Sequence, residues 1–179
     1  MIQTWSQLSL SARQELLPEL RDIFFTSSTR QNFTDDEQRE NFWRRWTDYY
    51  FDQHEDLLFV SRAEKRLAGY LMACPDSRQA EPILSKKNPS FSLFNDQFDA
   101  YPAHLHINMS TEFRGQGLGQ KLIETLCREL ERRHCPGLHL ITSPAARNVR
   151  FYQQNRFDYS LVRDWKGQPL LFMGRRLQT

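Results

Sequence analysis

The chain has 179 residues, 26% charged and 39% hydrophobic, with a net charge of +2. That length suits one domain with a sizeable core, and the scattered charge of both signs offers no basic field that would require nucleic acid as a partner. The start has neither a basic nor an apolar leader region, and no apolar run approaches spanning length, so the expectation is a cytoplasmic protein with no membrane segment.

In chain order, residues 1 to 5 suggest a short strand. Ser11-x-x-Gln14 then reads as a capping box opening a helix that buries Leu16, Leu17, Leu20, Ile23 and Phe24. Pro18 lies inside it, which predicts a late start or a kink. Thr34-x-x-Glu37 opens a second helix carrying Phe42, Trp43, Trp46, Tyr49, Tyr50 and Phe51, aromatics at helical spacing that pack a core or wall a substrate pocket. Leu57 to Val60 and Leu67 to Ala73 read as a strand hairpin around a charged turn. Residues 75 to 102 hold four prolines among Asn, Asp and Ser, and predict a long connection of the kind that forms lids, with a helical turn at Ser90 to Asp99.

Ala103 to Ser110 alternates, with Leu105, Ile107 and Met109 on one side and His104, His106, Asn108 and Ser110 on the other, as a strand requires. From Leu118 the apolar residues Leu122, Ile123, Leu126, Cys127 and Leu130 mark a helix. Between them Gly115, Gly117 and Gly119 let backbone approach a ligand closely at a helix N-terminus, which favours an anion. The expected chemistry is a phosphate cradle. Further strands are expected at Leu138 to Ser143, Asp158 to Trp165 and Pro169 to Leu177, with Asn148 capping a short helix that carries Val149, Phe151 and Tyr152. Cys74, Cys127 and Cys135 are odd in number and read as reduced, partly buried thiols.

The spacing decides among phosphate sites. A dinucleotide fingerprint needs glycine at position 120 or 122, where Gln120 and Leu122 stand. A P-loop needs Gly-Lys-Ser/Thr, but Lys121 lies between Gln120 and Leu122. Arg114, Gly117 and Gly119 do fill Q/R-x-x-G-x-G/A, after a strand and opening a helix. This resembles the acetyl-CoA signature of the GNAT (Gcn5-related N-acetyltransferase) family. Asn148 to Phe157 looks like the family's N-x-x-F-Y-x-x-x-G-F segment, with Arg156 where glycine is usual, so that turn must differ or Asn155 must take the left-handed conformation. Tyr101 to Ile107 and Phe172 to Leu177 are similar to bacterial relatives of the acetyltransferase-like domain of the bifunctional O-GlcNAc hydrolase.

The resemblance implies a single GNAT-like α/β domain over residues 1 to 179, with a mixed sheet of about six or seven strands, about four helices on both faces and a loop insertion at about 75–102. It implies an acetyl-CoA-dependent N-acetyltransferase acting on a primary amine, either a small molecule or a protein lysine or N-terminus. A CoA-binding module without turnover is the alternative, no metal is expected, and a homodimer is left open. Ile107, Asn108, Met109, Arg114, Gly115, Gln116, Gly117, Leu118, Gly119, Gln120, Asn148, Phe151 and Tyr152 are the implied cofactor-binding residues. Tyr152 is the implied general acid. Many family members carry a glutamate on the strand before the cradle, but here that side is apolar, and His104 and His106 on the other side are the candidate bases, either catalytic or structural.

Overall fold

A computed structural model describes residues 1 to 178. Its described elements are β1 (Ile2–Thr4), α1 (Leu10–Ser27), α2 (Asp36–Gln53), β2 (Leu58–Ala63), β3 (Arg66–Cys74), α3 (Ser77–Lys87), β4 (Ala103–Met109), α4 (Leu118–Arg132), β5 (Gly137–Thr142), α5 (Val149–Gln154), β6 (Tyr159–Trp165) and β7 (Gln168–Arg176), with short 3-10 segments between some of them. The strands form a seven-stranded sheet in the order β1-β2-β3-β4-β5-β7-β6. The described pairings are antiparallel except for β4 with β5, which run parallel and pair Ala103 with Leu138 and His104 with His139.

The chain divides into two compact units, and β4 and α4 contribute to both. The first comprises residues 1–73 and 106–124. In it, β2 and β3 form a hairpin whose turn residues Glu64 and Lys65 have φ of 51° and 69°, the pairing that a two-residue turn between right-twisted strands demands. Helix α1 is capped by Ser9, whose hydroxyl accepts from the Ala12 N–H, two residues earlier than the Ser11 box suggests. It continues through Pro18, forgoing one backbone bond, because Leu16, Leu20, Ile23, Phe24 and Phe25 are buried along one face. Helix α2 is capped by Asp35 rather than Thr34, the carboxylate accepting from the Gln38 N–H at 2.7 Å. Its Trp43 meets Phe24 edge to face at 5.1 Å, which places part of the aromatic stripe in the core.

The second unit comprises residues 74–105 and those from 125 onward. Here the expected long connection is largely helical. Asp76 caps α3 through the Arg78 and Gln79 N–H groups, and Pro89–Gln97 forms a 3-10 segment. Pro82 sits inside α3, and the four prolines that argued for a loop are tolerated because Ala80 and Leu84 are buried and because Phe94 packs against Phe172 at 5.4 Å. Arg163 of β6 ties the 3-10 segment down, donating to the Leu93 carbonyl at 2.7 Å and to both Asp96 oxygens at 2.6 and 2.8 Å. Five α-helices thus stand among the described residues where about four were expected.

Candidate active site

The cradle lies in the first unit. Strand β4 ends at Met109, a 3-10 turn buries Phe113, and the chain then passes Gly115 and Gly117 with φ of 77° and 74°, a conformation glycine adopts without strain. A Cβ at either glycine would meet no atom of the protein within 4 Å, so the space beside them is open to a ligand. The ladder of α4 opens with the Lys121 N–H on the Gly117 carbonyl at 3.1 Å, which leaves the N–H groups of Leu118, Gly119 and Gln120 unclaimed by the helix. Three donors and the positive end of a helix dipole make an anion site with no side-chain charge needed. Arg114, the first fixed position of the motif, turns back instead. Its Nε donates to the Met109 carbonyl at 3.2 Å and its Nη2 reaches the Ser27 hydroxyl at 3.5 Å, so it braces the turn. Gln116 likewise donates to the Glu112 carbonyl at 3.4 Å.

The polar side of β4 carries a hydrogen-bonded chain that includes a residue the sequence did not single out. Asn108 Nδ2 donates to the Tyr70 hydroxyl at 2.7 Å and lies 3.3 Å from His106 Nε2. With the amide so turned, Nε2 accepts, and the His106 proton sits on Nδ1, a buried atom with no partner among the described residues. Burial pulls the His106 imidazole down to about 4, and it pushes the Tyr70 phenol well above its ordinary range against the opposing Asn108 bond. His106 is therefore neutral at pH 7. Phe24 and Tyr70 stand edge-on to its ring, at 6.1 and 6.0 Å. Tyr70, a polar tip within the apolar run of β3, was the only signal in the sequence for this chain.

His104, Asn148, Phe151 and Tyr152 belong to the second unit. His104 Nδ1 shares a 2.7 Å hydrogen bond with the buried Ser77 hydroxyl at the start of α3, and its ring packs on Phe91 at 5.2 Å. Its neighbour in register, His139, was passed over in the sequence. It stacks between Phe98 and Phe172, at 5.2 and 4.6 Å, bonds the Tyr101 carbonyl through Nδ1 at 2.7 Å, and is held by burial at about 4. In α5, Asn148 stands at the cap position with helical dihedrals and makes no capping bond of the kind expected; its Oδ1 lies 3.5 Å from the Thr142 hydroxyl. Tyr152 is buried, with its ring against Phe151 and Phe157, and its phenol is pushed well above the ordinary range by desolvation, which the Asn148 side chain partly offsets. A phenol so placed holds its proton at neutral pH. Where the sequence left open a different turn or a left-handed Asn155, Asn155 keeps a negative φ of −98° and Arg156 itself takes the left-handed conformation, at φ 63°. Among the described residues no group of three or more His, Cys, Asp or Glu is placed to hold a metal ion, and no helix is long and apolar enough to cross a membrane.

The sequence matches the acetyltransferase (GNAT) family over residues 17–157, and the chain belongs to that family. It is thus an enzyme of the acyltransferase class. Solved structures share the fold across the whole chain. The structure called SsHAT matches at 21% identity and TM-score 0.71, covering 100% of this chain and 98% of its own. An agmatine N-acetyltransferase matches at 14% and 0.63, with 99% of each chain covered. The ribosomal-protein-alanine N-acetyltransferase of Brucella melitensis matches at 19% and 0.58, with 99% of each covered.

Proposed function

We propose that this acetyltransferase takes its acetyl group from acetyl-CoA and transfers it to a primary amine by direct attack. The observation that carries the reading is the cradle: two left-handed glycines with open space beside them lead into a helix whose first three N–H groups are unclaimed. A pyrophosphate is the chemistry that such a site takes, and the donor set fits it without a lysine or a metal. Asn148, Phe151 and Tyr152 complete the cosubstrate contacts that the family segment implies.

The mechanism follows from the acid–base requirements. An alkylamine of pKa about 10.4 must shed a proton, at roughly 4 to 5 kcal/mol at pH 7, before its lone pair can attack a thioester. The attack forms the C–N bond and moves charge onto the carbonyl oxygen, for which a backbone N–H among Ile107, Asn108 and Met109 is the proposed donor. Collapse breaks the C–S bond, and the Tyr152 hydroxyl is the proposed proton source for the departing thiolate. Of the two strand histidines, His106 is the proposed proton acceptor, through its unprotonated Nε2, which is held only by the long 3.3 Å contact from the Asn108 amide, while His104 Nδ1 is committed to Ser77 at 2.7 Å. At about 4 it is a weak base, so it serves an amine that has already reached its neutral form. That weakness also favours a second reading, a CoA-binding protein without turnover.

Proteins of this fold carry names that specify acceptors as different as agmatine and a ribosomal-protein alanine, so an acceptor panel should span both. Incubation of the protein with acetyl-CoA and agmatine, an alanine-initiated peptide or a lysine peptide should release CoA and add one acetyl mass to an acceptor. Tight acetyl-CoA binding with no acceptor modified would support the binding module instead. Modification through a labelled acetyl-protein intermediate would contradict direct attack.

A further inference from the structure

The second unit holds a cavity of about 360 Å³ lined by Tyr101, Arg156, Asp158, Tyr159, Gly174 and Arg176, none of them part of the acetyl-transfer proposal. Its platform is aromatic. Tyr101 stacks on Tyr159 at 5.3 Å and 20°, and Gly174 permits this, since a Cβ there would lie 2.7 Å from Tyr101 Cε1. Arg176 is already engaged, its Nη1 donating to the Ala100 carbonyl at 3.1 Å and its guanidinium lying over the Tyr101 ring at 4.8 Å.

Arg156 is not. It occupies the first position beyond the cap of α5, where the Arg156 N–H bonds Gln153 and the Phe157 N–H bonds Tyr152, both at 3.1 Å, the pattern that glycine normally closes. Holding a side chain at φ 63° costs about 1 kcal/mol or more, yet the exposed Arg156 guanidinium makes no bond among the described residues. Asp158, two residues on and lining the same cavity, is also without a partner among the described residues, and the two are not paired with each other.

We propose that this cavity is a second small-molecule site, for an amino-acid-like zwitterion: Arg156 takes the carboxylate, Asp158 the ammonium, and the tyrosine platform an apolar or aromatic body. A simple anion meets the charge of Asp158 and a simple cation that of Arg156, whereas a molecule carrying both charges satisfies each with a charge-assisted bond. The inference does not rest on acetyl transfer.

The test titrates the full protein with L-phenylalanine, phenylpropionate and phenethylamine, following affinity by calorimetry and the Tyr159 ring by NMR. Phenylalanine should bind at least about tenfold tighter than either probe lacking one charge. Arg156→Gly, which suits the backbone and should keep or raise the melting temperature, should remove the advantage over phenethylamine. Asp158→Asn should remove the advantage over phenylpropionate. Gly117→Asp, which damages the cradle alone, should leave phenylalanine binding unchanged. The proposal is overturned if the three probes bind alike or not at all, if phenylalanine binding survives both cavity variants, or if it disappears with the cradle variant.

Discussion

His106 and His139 each hold a neutral imidazole in surroundings that penalise its charge, at about 4 against an ordinary value near 6.5. The unfolded chain therefore binds more protons than the fold between these values. The stability contributed by each is complete above about pH 6.5, declines as the pH falls, and is gone below about pH 4, with a ceiling of roughly 3 kcal/mol per residue. The melting temperature should accordingly drop steeply between pH 6.5 and 4. In His139→Phe, which keeps the stacking on Phe98 and Phe172 but cannot titrate, that decline should be shallower; an unchanged slope would mean that His139 does not govern it. In turnover, kcat/KM should climb towards the pKa of the acceptor amine, without levelling near 6.5, since His106 stays neutral throughout. Tyr152→Phe keeps the ring contacts with Phe151 and Phe157 and removes the proton. It should lower kcat by about 10²-fold, the low end for a general acid because thiolates leave readily, with little change in KM for acetyl-CoA. Wild-type kcat in that variant would reduce Tyr152 to packing.

At the level of elements, the cradle is a strand end, two glycines and a helix start, and a change to it should be local. Gly117→Asp adds a carboxylate where phosphate is expected and strains φ 74°, but a Cβ there meets no protein atom. Acetyl-CoA binding should be lost for about 1 to 2 kcal/mol of stability, measured by calorimetry beside a denaturation curve. The 3-10 segment at Pro89–Gln97 offers a contrast. Its tie is Arg163 to Asp96, which holds that carboxyl well below the usual carboxylate range. Both side chains are partly exposed, so Arg163→Ala should cost no more than about 1 kcal/mol overall. Amide exchange within residues 89–97 should nevertheless quicken while acetyl-CoA affinity holds. A loss of affinity would show that the segment supports the cradle.

Across the whole molecule, what could be read in the sequence was what depends on local pattern. The period-two alternation of β4, the apolar spacing of α4 and the charged turn between β2 and β3 each fix their own geometry, and the structure has all three. What could not be read depends on distant partners. Prolines argued for a loop at 75–102, but α3 is helical because Ala80 and Leu84 have a core to enter. At Arg156 the sequence left open a different turn or a left-handed Asn155, but Arg156 itself takes φ 63° while Asn155 spends its amide on the Phe151 carbonyl at 2.7 Å. The Tyr70–Asn108–His106 chain joins two strands and has no spacing signature at all. The turn before α4 was legible because its left-handed conformation at Gly115 and Gly117 is a matter of backbone, which leaves its mark on composition directly.

The most direct test of an acetyl-CoA cradle at Gly115–Gln120 is a thermal shift of the wild-type protein and of Gly117→Asp with acetyl-CoA, CoA, ATP and NAD in parallel. Ligand at a hundred times its Kd adds about 2.7 kcal/mol of stability. Acetyl-CoA and CoA should each raise the wild-type melting temperature, and neither should raise that of the variant. A rise with ATP or NAD alone, or a rise with acetyl-CoA that persists undiminished in Gly117→Asp, would contradict it.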